Sequence, residues 1–222
     1  MDSFISDDNP HAAVARAYLA ALLRIDSDAA RHVVERALEA GTPLEAIYLD
    51  VLAATQEEIG RLWQVGQLSV AQEHYCTAAS QSVLANLGRR AFAARRNGRA
   101  MLATCVDGNL HEFGLRMVAD FFEMAGWKTV YLGAGLPALC IVDAVASAQA
   151  SVVCLSASLE RQVPAVEEAL GALRADPRTA AVRILVGGHA FKGDNRSWRR
   201  VGADGFAADA RAAVQLACGM VA

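Results

Sequence analysis

Apolar positions in the first hundred residues recur at helical spacing, and the pattern changes after residue 99. Asn9 can cap a first helix that runs to Leu23, with Pro10 tolerated in its first turn. Asp26 or Ser27 caps a second helix over 29–40, closed by Gly41. Thr42-Pro43 opens a third that reaches about residue 64, with Leu44, Ile47, Val51, Leu52, Ile59 and Leu62 largely on one face. Gly66 breaks it, and Ser69 caps a fourth from 70 to about 95. Four helices joined by short loops predict an antiparallel bundle over 10–97. The polar, basic run 95–99 reads as a solvated hinge.

Beyond it, strand-like runs at 100–106, 128–132, 151–155 and 183–186 alternate with helical patterns at 110–125, 138–148 and 163–174. A short Gly205-Phe206 strand and a last helix over 209–218 follow. Repeated β-α-β units of this kind predict a parallel sheet covered on both faces. The expected organisation is therefore an all-α four-helix cap, 10–97, followed by an α/β, Rossmann-like (flavodoxin-like) domain over 99–222.

Composition narrows the function. The chain is 54% hydrophobic and 20% charged, so it buries a core and is not disordered. A net charge of -3 makes no electrostatic case for direct nucleic-acid binding. No apolar run approaches the roughly 20 residues of a membrane span. The acidic start lacks a signal peptide's basic and apolar regions, so a cytoplasmic location is expected. Five cysteines stand singly, without zinc or redox spacing, and read as reduced, buried thiols.

In a doubly wound sheet the loops after the strands share one rim, where ligands bind. The first loop carries Asn109-Leu110-His111-Glu112-Phe113-Gly114. The third carries Ser156-Ala157-Ser158, and the fourth Gly187-Gly188-His189. Glycines permit close backbone approach, and serines supply short hydrogen bonds without filling space. Read singly, a His-x-x-Gly at a helix start is a cap and a Gly-Gly is a turn. Three such elements in order, each after a strand, point to a bound ligand.

The order H-x-x-G, then a serine motif, then G-G resembles the cobalamin-binding domains of methionine synthase, corrinoid methyltransferase proteins and cobalamin-dependent photoreceptors. The resemblance implies that His111 replaces the cofactor's dimethylbenzimidazole as lower cobalt ligand. It also implies that Ser156, Ser158, Gly187 and Gly188 line a groove for the displaced nucleotide tail. Asn109, Leu110 and Gly114 flank the ligand, and His189 either meets the corrin amides or is a surface loop histidine. Two positions depart from the family's pattern. Asn109 stands where a carboxylate usually orients the imidazole. The leucine of S-x-L is Ser158 here, with Leu159 one later.

In the helical half, Trp63 followed by Glu73-His74 resembles the cap signature of cobalamin photoreceptors. There the tryptophan packs over the adenosyl group, and the glutamate and histidine line the same pocket. The residue after the tryptophan is Gln64, not the histidine of repressors that form a bis-histidine photoproduct, and glutamine is a poor cobalt ligand. The resemblance implies a cobalamin-dependent light sensor, with adenosylcobalamin and, as in some relatives, a bilin such as biliverdin as second chromophore. Only about nine residues precede the first helix, so no operator-reading module is expected there. Signalling would pass to a transcription regulator or other effector, or through a homodimer. The alternative is a corrinoid carrier serving a methyltransferase, and in neither case does the chain read as a complete enzyme.

Overall fold

The computed structural model describes residues 3–91, 95–192 and 197–221. The chain forms two compact units, Met1–Arg90 and Ala91–Ala222.

The first unit is helical: α1 (Ala12–Leu23), α2 (Ser27–Glu39), α3 over 44–64 and α4 (Val70–Ala91). Helix α1 starts later than its sequence suggests because Asn9 is used differently. Its Oδ1 accepts from the His11 N–H at 2.8 Å, and its Nδ2 donates to the Asp50 carbonyl at 2.7 Å, pinning the preceding turn to α3. Asp26 caps α2, accepting from the Ala29 N–H at 2.9 Å. Helix α3 is continuous but changes winding, with Ile47–Ala53 π-helical between α-helical Leu44–Ala46 and Ala54–Gln64. Tyr18 and Leu22 of α1 and Ile47, Tyr48, Val51 and Leu52 of α3 are all fully buried. Residues 95–97 are already irregular, so α4 is shorter than expected; part of that expectation, 92–94, lies outside the described residues.

The second unit contains β1 (Ala100–Val106), β2 (Lys128–Leu136), β3 (Val152–Ser156), β4 (Arg183–Gly187) and β5 (Gly205–Phe206). They form one parallel sheet of order β2-β1-β3-β4-β5. That is the flavodoxin-like arrangement of the doubly wound fold. Its helices are α5 (Phe113–Met124), α6 (Ala138–Ala148), α7 (Val163–Ala175) and α8 (Ala210–Met220). Period-two alternation decides which face each strand residue joins. Met101, Ala103 and Cys105 pack with Leu115, Phe122, Ala213 and Ala217 of α5 and α8. Leu102 and Val106 pack on the other face with Ile141, Val145, Val166 and Leu170 of α6 and α7. Strand β2 outruns its apolar stretch because two register shifts absorb extra residues, with Gly133 and Gly135 at φ 75° and 70°.

The basic run 95–99 is largely exposed, as its composition suggests, but it is also anchored to the α/β unit. The Asn97 N–H donates to the Gly126 carbonyl at 2.8 Å, and Arg96 pairs with Glu123 at 2.6 Å. Glu123 is only 8% exposed, and a buried carboxylate needs such a partner. Cys76, Cys105 and Cys154 are buried thiols as expected, whereas Cys140 is exposed on α6. Among the described residues no helix is long and apolar enough to cross a membrane.

Candidate functional site

The strand order reverses direction at β1, which has β2 on one side and β3 on the other. The crevice between the loops after β1 and β3 is where ligands bind in such sheets. Helix α5 begins at Phe113, later than its apolar pattern suggests, so Leu110 and His111 stand in the loop rather than in the helix. Leu110 is 77% exposed, and His111 is exposed beside it. Gly114 lies in the first turn of α5, and a Cβ there would meet nothing within 4 Å. That face of the helix start is therefore open to a large neighbour.

Asn109 is fully buried and performs two tasks. Its Nδ2 donates to the carbonyl of Ser156, the last residue of β3, at 2.9 Å. Its Oδ1 accepts from the His111 backbone N–H at 3.1 Å and lies 3.4 Å from His111 Nδ1. An amide oxygen only accepts, so it favours the tautomer with the proton on Nδ1 and leaves the Nε2 lone pair free. A carboxylate in this position could face the imidazole but could not donate to Ser156.

Strands β3 and β4 carry the rest of the rim. Ser156 pairs in register with Gly187, and the Ala157 N–H donates to the Gly187 carbonyl at 3.1 Å. Gly188 has φ +94°, and a Cβ on it would sit 2.2 Å from the Ala157 carbonyl oxygen and 3.1 Å from Ser156 Oγ. Only glycine fits there. Ser156 is buried, Ser158 half-buried, and His189 is exposed at the head of a short 3-10 turn. Thus Asn109, His111, Ser156, Gly187 and Gly188 form one connected edge, with Leu110, Ser158 and His189 on its rim.

Three further residues belong to this edge and were not singled out from the sequence. Gln162 is buried, and its side chain bonds both loops: Nε2 donates to the Gly108 carbonyl at 2.8 Å, while Oε1 accepts from the Ser158 and Leu159 N–H groups at 2.9 and 3.0 Å. Gln162 supplies the glutamine half of a capping box, but Leu159 has no oxygen to supply the other half, so neither the bond from Leu159 nor the one to Gly108 has a clear local signature. Tyr131 donates its hydroxyl to Glu112 Oε2 at 2.9 Å, with the Arg116 guanidinium 5.2 Å from its ring centre. Burial and the Glu112 carboxylate push the phenol well above its ordinary range. Beneath the loop, Cys105 Sγ donates to the His111 carbonyl at 3.7 Å. Burial, with Glu112 adding to it, pushes this thiol up to about 12.

The helical unit carries the remaining candidates. Trp63, next to last in α3, is 47% exposed, and Gln64 beside it is exposed. Glu73 is half-buried, accepting from the Thr77 hydroxyl at 2.9 Å. His74 Nδ1 lies 3.0 Å from Glu73 Oε2 and 2.8 Å from the Val70 carbonyl. From Thr77 a polar chain runs inward through Gln56 and Ser80 to Tyr18. Burial raises the Tyr18 phenol to about 12.

The donor set discriminates between kinds of metal. Among the described residues no three His, Cys, Asp or Glu side chains converge to hold a bare ion. His111 offers one imidazole nitrogen on an open rim, which suits a metal whose other positions a macrocycle already fills. The glycines that end β4 keep the rim beside Ser156 free of side chains, which suits close approach of an extended polar group.

Comparison with known proteins agrees. A B12 binding domain family matches residues 99–216, and a second B12 binding domain family matches 14–87. The HTH-type transcriptional repressor CarH of Myxococcus xanthus is 34% identical over 84% of this chain. This chain spans 61% of that repressor's length. Dimethylamine corrinoid protein 1 of Methanosarcina acetivorans is 26% identical over 89% of this chain and 92% of its own length. The structure of the Methanosarcina barkeri monomethylamine corrinoid protein superposes with a TM-score of 0.84 at 17% identity, covering 95% of this chain and all of that one, which supports the fold. The matches over both units place this chain in the B12 binding domain family.

Proposed function

We propose that this protein is a cobalamin-dependent light sensor that signals to a partner. In this reading His111 Nε2 is the lower cobalt ligand. Leu110 and Gly114 border the corrin, and Asn109 holds the His111 loop. Ser156, Ser158, Gly187 and Gly188 receive the displaced nucleotide tail, and His189 meets the corrin amides. Trp63, Glu73 and His74 serve the upper, adenosyl face. Adenosylcobalamin supplies a cobalt–carbon bond that light can break. Trp63 excludes water from that bond, and Glu73 accepts hydrogen bonds from the adenosyl group. Loss of the upper ligand removes contacts that only one state makes, which is what a switch requires. The output is a transcription regulator, another effector, or a second copy of the chain, acting in the cytoplasm.

The observation that carries the sensor reading is Trp63, a tryptophan left 47% exposed at a helix end. Alone such a residue is ordinary; it supports the reading because Glu73-His74 follow it in the order of the cap signature. Its support from relatives is the 34% identity with the repressor, against 26% with the dimethylamine corrinoid protein. The test is the absorption spectrum of the adenosylcobalamin-loaded protein before and after green or red light, with oligomeric state measured in parallel. A spectrum and size unmoved by light would end the sensor reading. Repeating the measurement with biliverdin decides whether a bilin joins as a second chromophore.

A second reading, a corrinoid carrier for a methyltransferase, is supported by the similarity to a dimethylamine corrinoid protein along 89% of this chain. A methyl-transfer assay that depends on this protein would establish it. Both readings use His111 and the same serine–glycine cleft.

A further inference from the structure

Two amide side chains cross the crevice between β1 and β3 in opposite directions. Asn109, in the β1 loop, donates to the Ser156 carbonyl at the end of β3. Gln162, beyond the β3 loop, donates back to the Gly108 carbonyl in the β1 loop at 2.8 Å. Both side chains are buried, Asn109 completely and Gln162 with 4% exposure. Gln162 uses both ends of its amide, because its Oε1 also takes the Ser158 and Leu159 N–H groups. Those last two bonds cap the helical segment that begins at Glu160 and would suffice for a local structural role. The bond to Gly108 joins a segment 54 residues away and has no capping purpose.

We infer that Gln162 is a positioning residue for cobalamin: with Asn109 it sets the spacing between the loop that presents His111 and the loop that carries Ser158. The inference rests on the lower-ligand assignment above. Spacing matters because the two subsites take two parts of one molecule. The cobalt and the nucleotide tail are tied covalently, so a histidine at the wrong distance from the tail cleft can satisfy one contact only by straining the other. Holding both loops before binding removes that cost, in the way pre-organisation generally does. A glutamine is required because one side chain must accept twice and donate once at the same point.

Gln162→Glu separates the strap from the cap. The carboxylate still accepts from Ser158 and Leu159, but it has no proton for the Gly108 carbonyl and faces it with charge. The buried charge is expected to lower the thermal midpoint, as at any closed-off carboxylate without a donor, while the cap bonds keep the variant folded. In the metal-free protein, amide exchange over 107–112 should accelerate. With hydroxocobalamin, affinity should fall about tenfold, the usual scale for residues that orient a metal ligand. The histidine-nitrogen splitting in the electron paramagnetic resonance spectrum of the reduced Co(II) form should weaken. Gln162→Leu, which loses all three bonds, should show the same spectral change with lower stability.

Unchanged loop exchange in Gln162→Glu would overturn the strap. Faster exchange with wild-type affinity and nitrogen splitting would overturn its role toward cobalamin. His111→Ala keeps the two readings apart. If that variant retains the nitrogen splitting, the lower-ligand assignment falls, and this inference falls with it. If it loses the splitting while Gln162→Glu keeps it, only the inference falls.

Discussion

The candidate residues of the α/β unit are tied to the backbone of loops distant in sequence, whereas those of the helical unit are held, mostly through side chains, within one turn of their own helix. Asn109 holds Ser156 through its main-chain carbonyl, and Gly188 is pressed against the carbonyl of Ala157. Glu73 is held by the hydroxyl of Thr77, and His74 by Glu73 and the Val70 carbonyl, while Trp63 projects from a helix end. Backbone anchors move only when a strand or loop moves. Side-chain anchors can exchange partners by rotation about single bonds at little cost. The first arrangement suits contacts that stay the same whatever the upper ligand is. The second suits contacts that change when that ligand leaves.

The comparison breaks most visibly at Gly188. Gly188→Ala combines a left-handed backbone with a Cβ overlapping a carbonyl oxygen, and is expected to cost more than about 2 kcal/mol in chemical denaturation. It should also abolish cobalamin retention. A stable, cobalamin-binding alanine variant would show that the cleft is less rigid than its geometry implies.

Next comes Asn109→Asp. It restores the family's usual carboxylate but removes the donor to Ser156 and buries a charge, with an expected loss of about 2–3 kcal/mol at neutral pH. If histidine ligation instead strengthens with no loss of stability, the crossing bond from Asn109 matters less than its neighbour His111.

Smaller effects are expected in the helical unit. Thr77→Val removes the hydroxyl that steadies Glu73 and should cost about 1 kcal/mol. Trp63→Ala should change stability by less than about 1 kcal/mol, because half the ring is already exposed. It should nevertheless speed loss of adenosylcobalamin relative to hydroxocobalamin. Equal effects on the two cofactors would make Trp63 an ordinary packing residue and erase the functional half of the contrast.

A pH measurement sharpens the contrast further. Arg61 holds the Glu58 carboxyl below its usual range, through a contact of 2.6 Å, with help from the Phe4 N–H. A depressed folded-state value stabilises the fold above the carboxyl's unfolded value, and the contribution is lost as pH falls through the folded one. Acid should therefore weaken the helical unit, and Glu58→Gln should flatten that dependence, followed by circular dichroism.

Much of this was legible in the sequence because it depends on local patterns. The β-α-β alternation predicts the sheet, and a histidine, a serine pair and a glycine pair after its first, third and fourth strands mark the candidate edge. What escaped depends on partners distant in sequence. Gln162 resembles a cap until Gly108 is seen opposite it. Arg96 does lie in an exposed run, but nothing local in the sequence says that buried Glu123 claims it. Asn109 reads as a weakened aspartate, yet its amide hydrogens bond Ser156. The π-helical stretch in α3 leaves the apolar spacing readable as an ordinary helix.

The thiol of Cys105 lies beneath the carbonyl of His111, protonated at neutral pH and closed off by the loop above it. Alkylating reagents need a thiolate that they can reach. Exposed Cys140 should therefore be labelled quickly, and Cys105 only during the intervals when the His111 loop lifts. The ratio of the two labelling rates, followed by mass spectrometry, turns a buried cysteine into a clock for that loop, readable without any chromophore in place.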